Sequence, residues 1–111
     1  MLESEETLDL LREIGSNPSL TQRYLAKKHG ISLGKANYLL QAFLERGVIK
    51  VNRFKNSNNK AAYAYILTPE GIKLRLDLTR RFLALKLREY ETLKKDIDAL
   101  GEQREVDLKG A

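Results

Sequence analysis

A mainly α fold with a small β element (α+β) is what this 111-residue sequence predicts. Three short helices come first, then a two-stranded antiparallel hairpin, then one long helix. Three observations carry this expectation. Apolar residues recur at three- and four-residue spacing in four stretches, each preceded by a Ser or Thr that suits a helix cap. Two other stretches, "VIKVNRF" and "AAYAYIL", alternate with period two. Strands and helices do not alternate in the βαβ manner, so a doubly wound parallel sheet is not expected.

The first helix covers about residues 5–14, with Ser4 as cap, acidic side chains in its first turn, and Leu8, Leu11 and Ile14 on one face. Gly15 is expected to stop it. "SNPSL" then turns the chain, because the residue before proline is pushed out of the helical region. Thr21 or Ser19 caps a second helix carrying Tyr24, Leu25 and Ala26, which ends in "KKHG": cations in the last turn, then Gly30. Ser32 caps a third helix over about 33–46, closed by Gly47. The two alternating runs, joined by the polar "KNSNNK", form an antiparallel hairpin with a wide tip. "TPEG" puts Thr68 at a cap and Pro69 at the first helical position, opening a last helix that runs to about residue 100. The expected organisation is a compact domain over 4–68, a long helix over 69–100 and a flexible tail over 101–111.

Reactive chemistry is scarce. No cysteine is present, which excludes disulfides, thiolate catalysis and cysteine-based zinc sites. The single histidine, His29, has no second histidine or cysteine with which to form a metal site or catalytic pair. The carboxylates cluster at 3–13 and along the last helix, where they read as solvated faces. An enzyme is therefore not expected, nor any cofactor. The beginning "MLESEETLDL" is acidic where a signal peptide would be basic and then apolar, and no apolar run approaches the roughly 20 residues needed to span a bilayer. A soluble cytoplasmic protein is the expectation.

The formal net charge is +5, unevenly spread. Residues 1–20 carry one basic and five acidic side chains; residues 21–60 carry nine basic and one acidic. A local charge of +8 in the middle third is the footprint of a surface for a polyanion.

That basic third contains a helix pair joined only by "HGIS". So short a link, with Gly30 at the exit and Ser32 as the next cap, forces a sharp corner of the helix-turn-helix kind. At 100° per residue, Leu33, Ala36, Leu39, Leu40, Phe43 and Leu44 occupy one arc, the expected core face. Gly34, Lys35, Asn37, Tyr38 and Gln41 point outward near the N-terminal end, where a recognition helix meets base edges in the major groove. Asn and Gln bond adenine bidentately, Lys suits guanine or phosphate, and glycine allows close approach. Thr21, Gln22 and Ser32, at the starts of the two helices, complete this part of the candidate DNA-binding set. The hairpin behind such a pair is a wing. Arg53, Lys55 and Lys60 flank its tip among Asn56, Ser57, Asn58 and Asn59, suited to phosphates or a minor groove. Tyr63, Tyr65 and Leu67 share one strand face and are expected to pack in the core.

With these residues in view, the stretch 8–71 resembles the winged helix-turn-helix regulators of the MarR family. "LTQRYLAKKHGISLGKANYLLQAFLERGVI", followed by a hairpin and "LTPEG", carries the resemblance, and its details are similar to the subgroup associated with exopolysaccharide gene clusters. The resemblance implies a dimeric, DNA-binding transcriptional regulator, with surface-polysaccharide genes as its targets. Two departures stand out. Family members carry a helix before the winged domain and two after it, whereas here a few residues precede the first helix and one long helix follows. The family's Asp-and-Arg wing-tip motif is replaced by Asn58, Asn59, Lys60 and Ala61. No effector pocket is implied for this chain.

The last helix carries a 4–3 pattern through Ile72, Leu76, Thr79, Leu83, Lys86, Tyr90, Leu93, Ile97 and Leu100. Its first half also bears Leu74, Leu78, Phe82, Leu85 and Leu87, too broad a surface for a two-stranded seam, and is expected to pack on a winged domain. The second half narrows to a stripe. Leu76, Leu83, Leu87, Tyr90, Leu93, Ile97 and Leu100 are the candidate dimerisation residues, forming a long C-terminal dimerisation helix. Glu89 at a g position and Lys94 at the following e′ suit a parallel pair, though exposed pairs weigh little.

Two functions remain open on the sequence: a homodimeric, sequence-specific regulator on a pseudo-palindromic operator, and a winged-helix module that binds another protein. The +8 middle segment favours the first.

Overall fold

The computed structural model describes residues 2–17, 20–55, 58 and 61–109, and side chains at all of these except 54, 55, 61–63 and 105–109. The element order is α1 (Glu5–Ser16), α2 (Gln22–His29), α3 (Leu33–Glu45), β1 (Ile49–Lys55), β2 (Ala61–Leu67) and α4 (Pro69–Lys109). This is a winged helix with a long C-terminal helix, mainly α, as expected. By its internal contacts the chain divides into Met1–Leu78 and Thr79–Ala111.

Within the first unit each helix starts on the expected cap. The side-chain oxygens of Ser4, Thr21 and Ser32 accept the backbone N–H three residues on, from Thr7, Tyr24 and Lys35. Each bond satisfies one of the four N–H groups that a helix start leaves without a partner, and replacing such a cap by alanine costs about 1 kcal/mol. α2 stops as predicted: Gly30 takes the left-handed conformation (φ 64°), and the Ile31 N–H closes back on the Ala26 carbonyl. α3 ends at Glu45, and Gly47 (φ 71°) turns the chain into β1.

Gly15 does not stop α1. The helix runs to Ser16, and Asn17 caps it with its N–H on the Glu13 carbonyl. A Cβ at Gly15 would stand 2.8 Å from the Arg75 guanidinium and 3.1 Å from the Leu67 side chain. Glycine leaves room there for the ends of those two side chains, neighbours that no local pattern announces.

The two strands pair antiparallel from Ile49 opposite Leu67 to Lys55 opposite Ala61. The Thr68 N–H continues the ladder onto the Val48 carbonyl. The Thr68 hydroxyl donates to the Gly47 carbonyl and accepts from the Gly71 N–H, so one side chain ties the wing's base to the first turn of α4. Gly71 is buried against that base, and a Cβ on it would land on the Val48 carbonyl. Burial along β2 does not alternate: Ala64, Tyr65, Ile66 and Leu67 are all half-buried. The Tyr63 side chain lies outside those described.

The core joins Leu8, Leu10, Leu11 and Ile14 of α1 to Leu25 and Ala26 of α2, and Ala36, Leu40 and Phe43 of α3. Leu2, Leu20, Val48, Ile49 and Leu78 complete it. Complete burial of each large member contributes about 1.5–3 kcal/mol. Leu39 and Leu44 of the expected α3 core face are only half-buried, as are Tyr65 and Leu67 of β2, and two further residues of the sequence patterns are exposed. Leu33, at the first position of α3, is 43% exposed, and Tyr24 is also exposed. Glu13, grouped in the sequence with solvated carboxylates, is buried instead.

In the second unit, α4 continues to Lys109, so residues 101–109 are helical where a frayed tail was expected. Leu83, Leu87, Tyr90, Leu93, Ile97 and Leu100 are all exposed, as are Ile72 and Leu76 earlier on the same helix. Lys86 lies 4.0 Å from the Glu89 carboxylate one turn on.

Candidate nucleic-acid interface

The outward row of α3 is built from below. Ala36, Leu40 and Phe43 are buried to 1% or less, and they fix the helix's rotation about its own axis. With that face held, Gly34, Lys35, Asn37, Tyr38 and Gln41 must face solvent, and all five are exposed. Tyr38 presents more than half its surface (56%). No side chain or backbone would meet a Cβ at Gly34 within 4 Å, so the helix start there is open to close approach. Ser32 and Thr21 are exposed at the starts of α3 and α2. Their hydroxyl oxygens are occupied in capping, which leaves each O–H hydrogen free to donate to a phosphate oxygen. Each cap also lies at the positive end of a helix dipole.

Asn37, Gln22 and Lys35 of the candidate set have partners the sequence did not reveal. The Asn37 side-chain amide donates to the Gln22 side-chain carbonyl at 3.2 Å, linking α3 to the first residue of α2. The Lys35 ammonium lies 3.2 Å from the carboxylate of Glu6 in the first turn of α1. Glu6 therefore belongs to this surface. No spacing rule would have found it, because it lies in the acidic segment that precedes the basic third. Exposed Leu33 adds an apolar group at the head of α3.

Behind this face, the Lys28 ammonium donates to the buried Glu13 carboxylate at 2.7 Å and sits 5.6 Å from the centre of the Tyr24 ring. The hydrogen bond from Lys28 holds the Glu13 carboxyl below its ordinary range, against burial, which pushes it up. The same bond raises Lys28. The contact locks α2 to α1 and so sets the platform on which α3 turns. His29, next along, has its Nε2 buried with no hydrogen-bond partner among the described residues.

On the wing, Arg53 is exposed on β1, opposite Tyr63 in the ladder. Lys55 ends the same strand. Lys60, with Asn56, Ser57 and Asn59, lies outside the described residues. Among the described residues no group of three His, Cys, Asp or Glu could hold a metal ion, and no helix is long and apolar enough to cross a membrane.

Residues 7–50, from α1 into the start of β1, match the protein family described as winged helix-turn-helix DNA-binding. No curated protein sequence is similar enough to count as a relative. Several solved structures share the fold. MepR, a transcription regulator of the Staphylococcus aureus multidrug efflux pump MepA, superposes with a TM-score of 0.63 at 21% identity, over 96% of this chain and 76% of that one. Staphylococcus aureus MarR, solved with salicylate and kanamycin, gives 0.61 at 20% identity, over 94% and 73%. Streptococcus pneumoniae FabT, solved in complex with DNA, gives 0.56 at 20% identity, over 89% and 68%.

Proposed function

We propose that this chain is a sequence-specific, double-stranded DNA-binding transcriptional regulator of the MarR type, acting as a homodimer on a pseudo-palindromic operator. The observation that carries it is the solvent-facing row Gly34, Lys35, Asn37, Tyr38 and Gln41 on α3, which begins just past the exposed Ser32 cap. Lys35, Asn37, Tyr38 and Gln41 are polar, base-edge-compatible side chains at the end of the helix that enters a major groove, and Gly34 allows close approach. The +8 charge over residues 21–60 supplies the sequence-independent attraction to phosphate. Arg53, Lys55 and Lys60 bring the wing to the flanking backbone or minor groove. The family match over residues 7–50 and the fold shared with FabT, solved on DNA, support the same reading.

Pairing runs through Leu76, Leu83, Leu87, Tyr90, Leu93, Ile97 and Leu100. These apolar side chains are 47–70% exposed in the single chain, a row a soluble protein covers with a partner. The parallel direction rests on Glu89 and Lys94, and Lys86 competes for Glu89 within its own helix. Control of exopolysaccharide genes rests on the resemblance of the 8–71 stretch to that subgroup.

Binding-site selection from random duplex DNA with the purified chain tests the function. Enrichment of two inverted half-sites about one helical turn apart is expected, with affinity falling steeply as salt rises. Absence of any enriched sequence, or affinity indifferent to salt, would refute it.

A further inference from the structure

We infer that Gln22, on α2, sets the base preference of Asn37, on α3, by fixing which way its side-chain amide faces; this rests on the function proposed above. The two residues are 15 positions apart in sequence, and their side chains meet at 3.2 Å with Asn37 as donor. Gln22 is half-buried at the first position of α2, just behind the Thr21 cap. Asn37 is exposed in the middle of the outward row.

A lone exposed asparagine turns its amide freely, and each half-turn exchanges donor for acceptor. It then complements different base edges with similar ease. In the structure Gln22 presents its carbonyl oxygen, which accepts but cannot donate, and with Gln22 in this orientation the Asn37 amide is held by its N–H side. One N–H of Asn37 is taken by this bond. The other N–H and the Asn37 carbonyl oxygen remain as an adjacent donor and acceptor. That pair matches the N7 acceptor and N6 donor that adenine presents in the major groove. The Gln22 amide nitrogen keeps its own hydrogens for the phosphate backbone. Gln22 is thus a positioning residue for Asn37 rather than a second independent reader.

The test compares the full chain with Gln22→Ala, Asn37→Ala, the double variant and Gln22→Glu, by binding-site selection followed by competition among duplexes that differ at single base pairs. Asn37→Ala should lose about fivefold or more discrimination at one base pair of each half-site. Gln22→Ala should relax that same base pair, and the double variant should do no worse there than Asn37→Ala. Gln22→Glu keeps the accepting oxygen, so it should keep the preference while binding every duplex more weakly, because it adds negative charge. The inference is overturned if Gln22→Ala leaves that base pair as selective as before, if the two losses add or fall at different base pairs, or if Gln22→Glu loses the preference as Gln22→Ala does. A parent chain that selects no sequence refutes the DNA-reading function itself. A parent chain that selects, beside a Gln22→Ala variant with unchanged preferences, refutes this inference alone.

Discussion

Glu13 of α1 and Lys28 of α2 meet at 2.7 Å, with the carboxylate buried and the ammonium side chain about half exposed. The pair is the polar tie between the first two helices and holds the base of the candidate interface. Its worth depends on pH. The Lys28 bond lowers the Glu13 carboxyl from its ordinary value of 4.5, so the folded state favours the ionised form. The resulting stability is fully present above that value and is lost as pH falls through the depressed one. Lys28 is raised from 10.5, so its contribution is present below that value and lost as pH rises through the raised one. Thermal melts of the parent chain and Glu13→Gln should therefore differ most between about pH 5 and 10, and the gap should narrow progressively as pH falls below 4.5. A gap that stays constant down to pH 3 would show that the ionised pair is not what Glu13 contributes.

Glu6 holds Lys35 on the candidate DNA face. Glu6→Gln releases that cation and removes a negative charge from the approach path, so affinity for random duplex should rise. An exposed ion pair of about 0.2–1 kcal/mol corresponds to a gain of roughly 1.5- to 5-fold. Fluorescence anisotropy at two salt concentrations measures it, and the gain should shrink at the higher one. A loss of affinity would mean that Glu6 positions Lys35 productively.

Glycine matters at Gly47 and Gly71 for different reasons. Gly47 needs φ 71°, so Gly47→Ala should cost about 1–2 kcal/mol, the penalty for a left-handed L-residue. Gly71 has an ordinary backbone but no room, since a Cβ would meet the Val48 carbonyl, and Gly71→Ala should cost about 1–3 kcal/mol as the wing base and α4 move apart. Gly34→Ala meets open space and should leave stability unchanged or improve it, because alanine favours the helix. Urea unfolding of the three variants gives the order directly.

The exposed stripe of α4 is the candidate pairing surface. Leu93→Asp and Ile97→Asp put charge where two copies would meet and should convert a dimer to monomer in sedimentation. These side chains are 62% and 69% exposed in the single chain, so the winged domain should keep its melting temperature when measured separately from dissociation. A parent chain that sediments as a monomer at micromolar concentration would remove this surface from the proposal.

Local chemistry made much of the fold legible in the sequence. Ser4, Thr21, Ser32 and Thr68 head their helices because a cap acts within three residues of itself. Gly30 and Gly47 turn the chain because left-handed φ is a property of one residue. The period-two runs gave β2 its bounds of Ala61–Leu67, and β1 begins one residue inside its run. The outward row of α3 was legible too, since helical geometry alone assigns its face.

Tertiary structure decided the features that depend on a partner distant in sequence. Gly15 lies within α1 beneath the side-chain ends of Leu67 and Arg75, and nothing within its own helix announces them. Glu13 is buried and meets Lys28 across 15 positions, and the Asn37 amide meets Gln22 across the same interval. Leu33 shares the apolar arc of α3 but sits at the helix's first position, so periodicity counted it as core and the fold left it 43% exposed. Caps, turns and faces are short-range and follow from residue type and spacing. Which polar groups find one another, and where an apolar face runs out of neighbours, is settled only when separate helices are brought together.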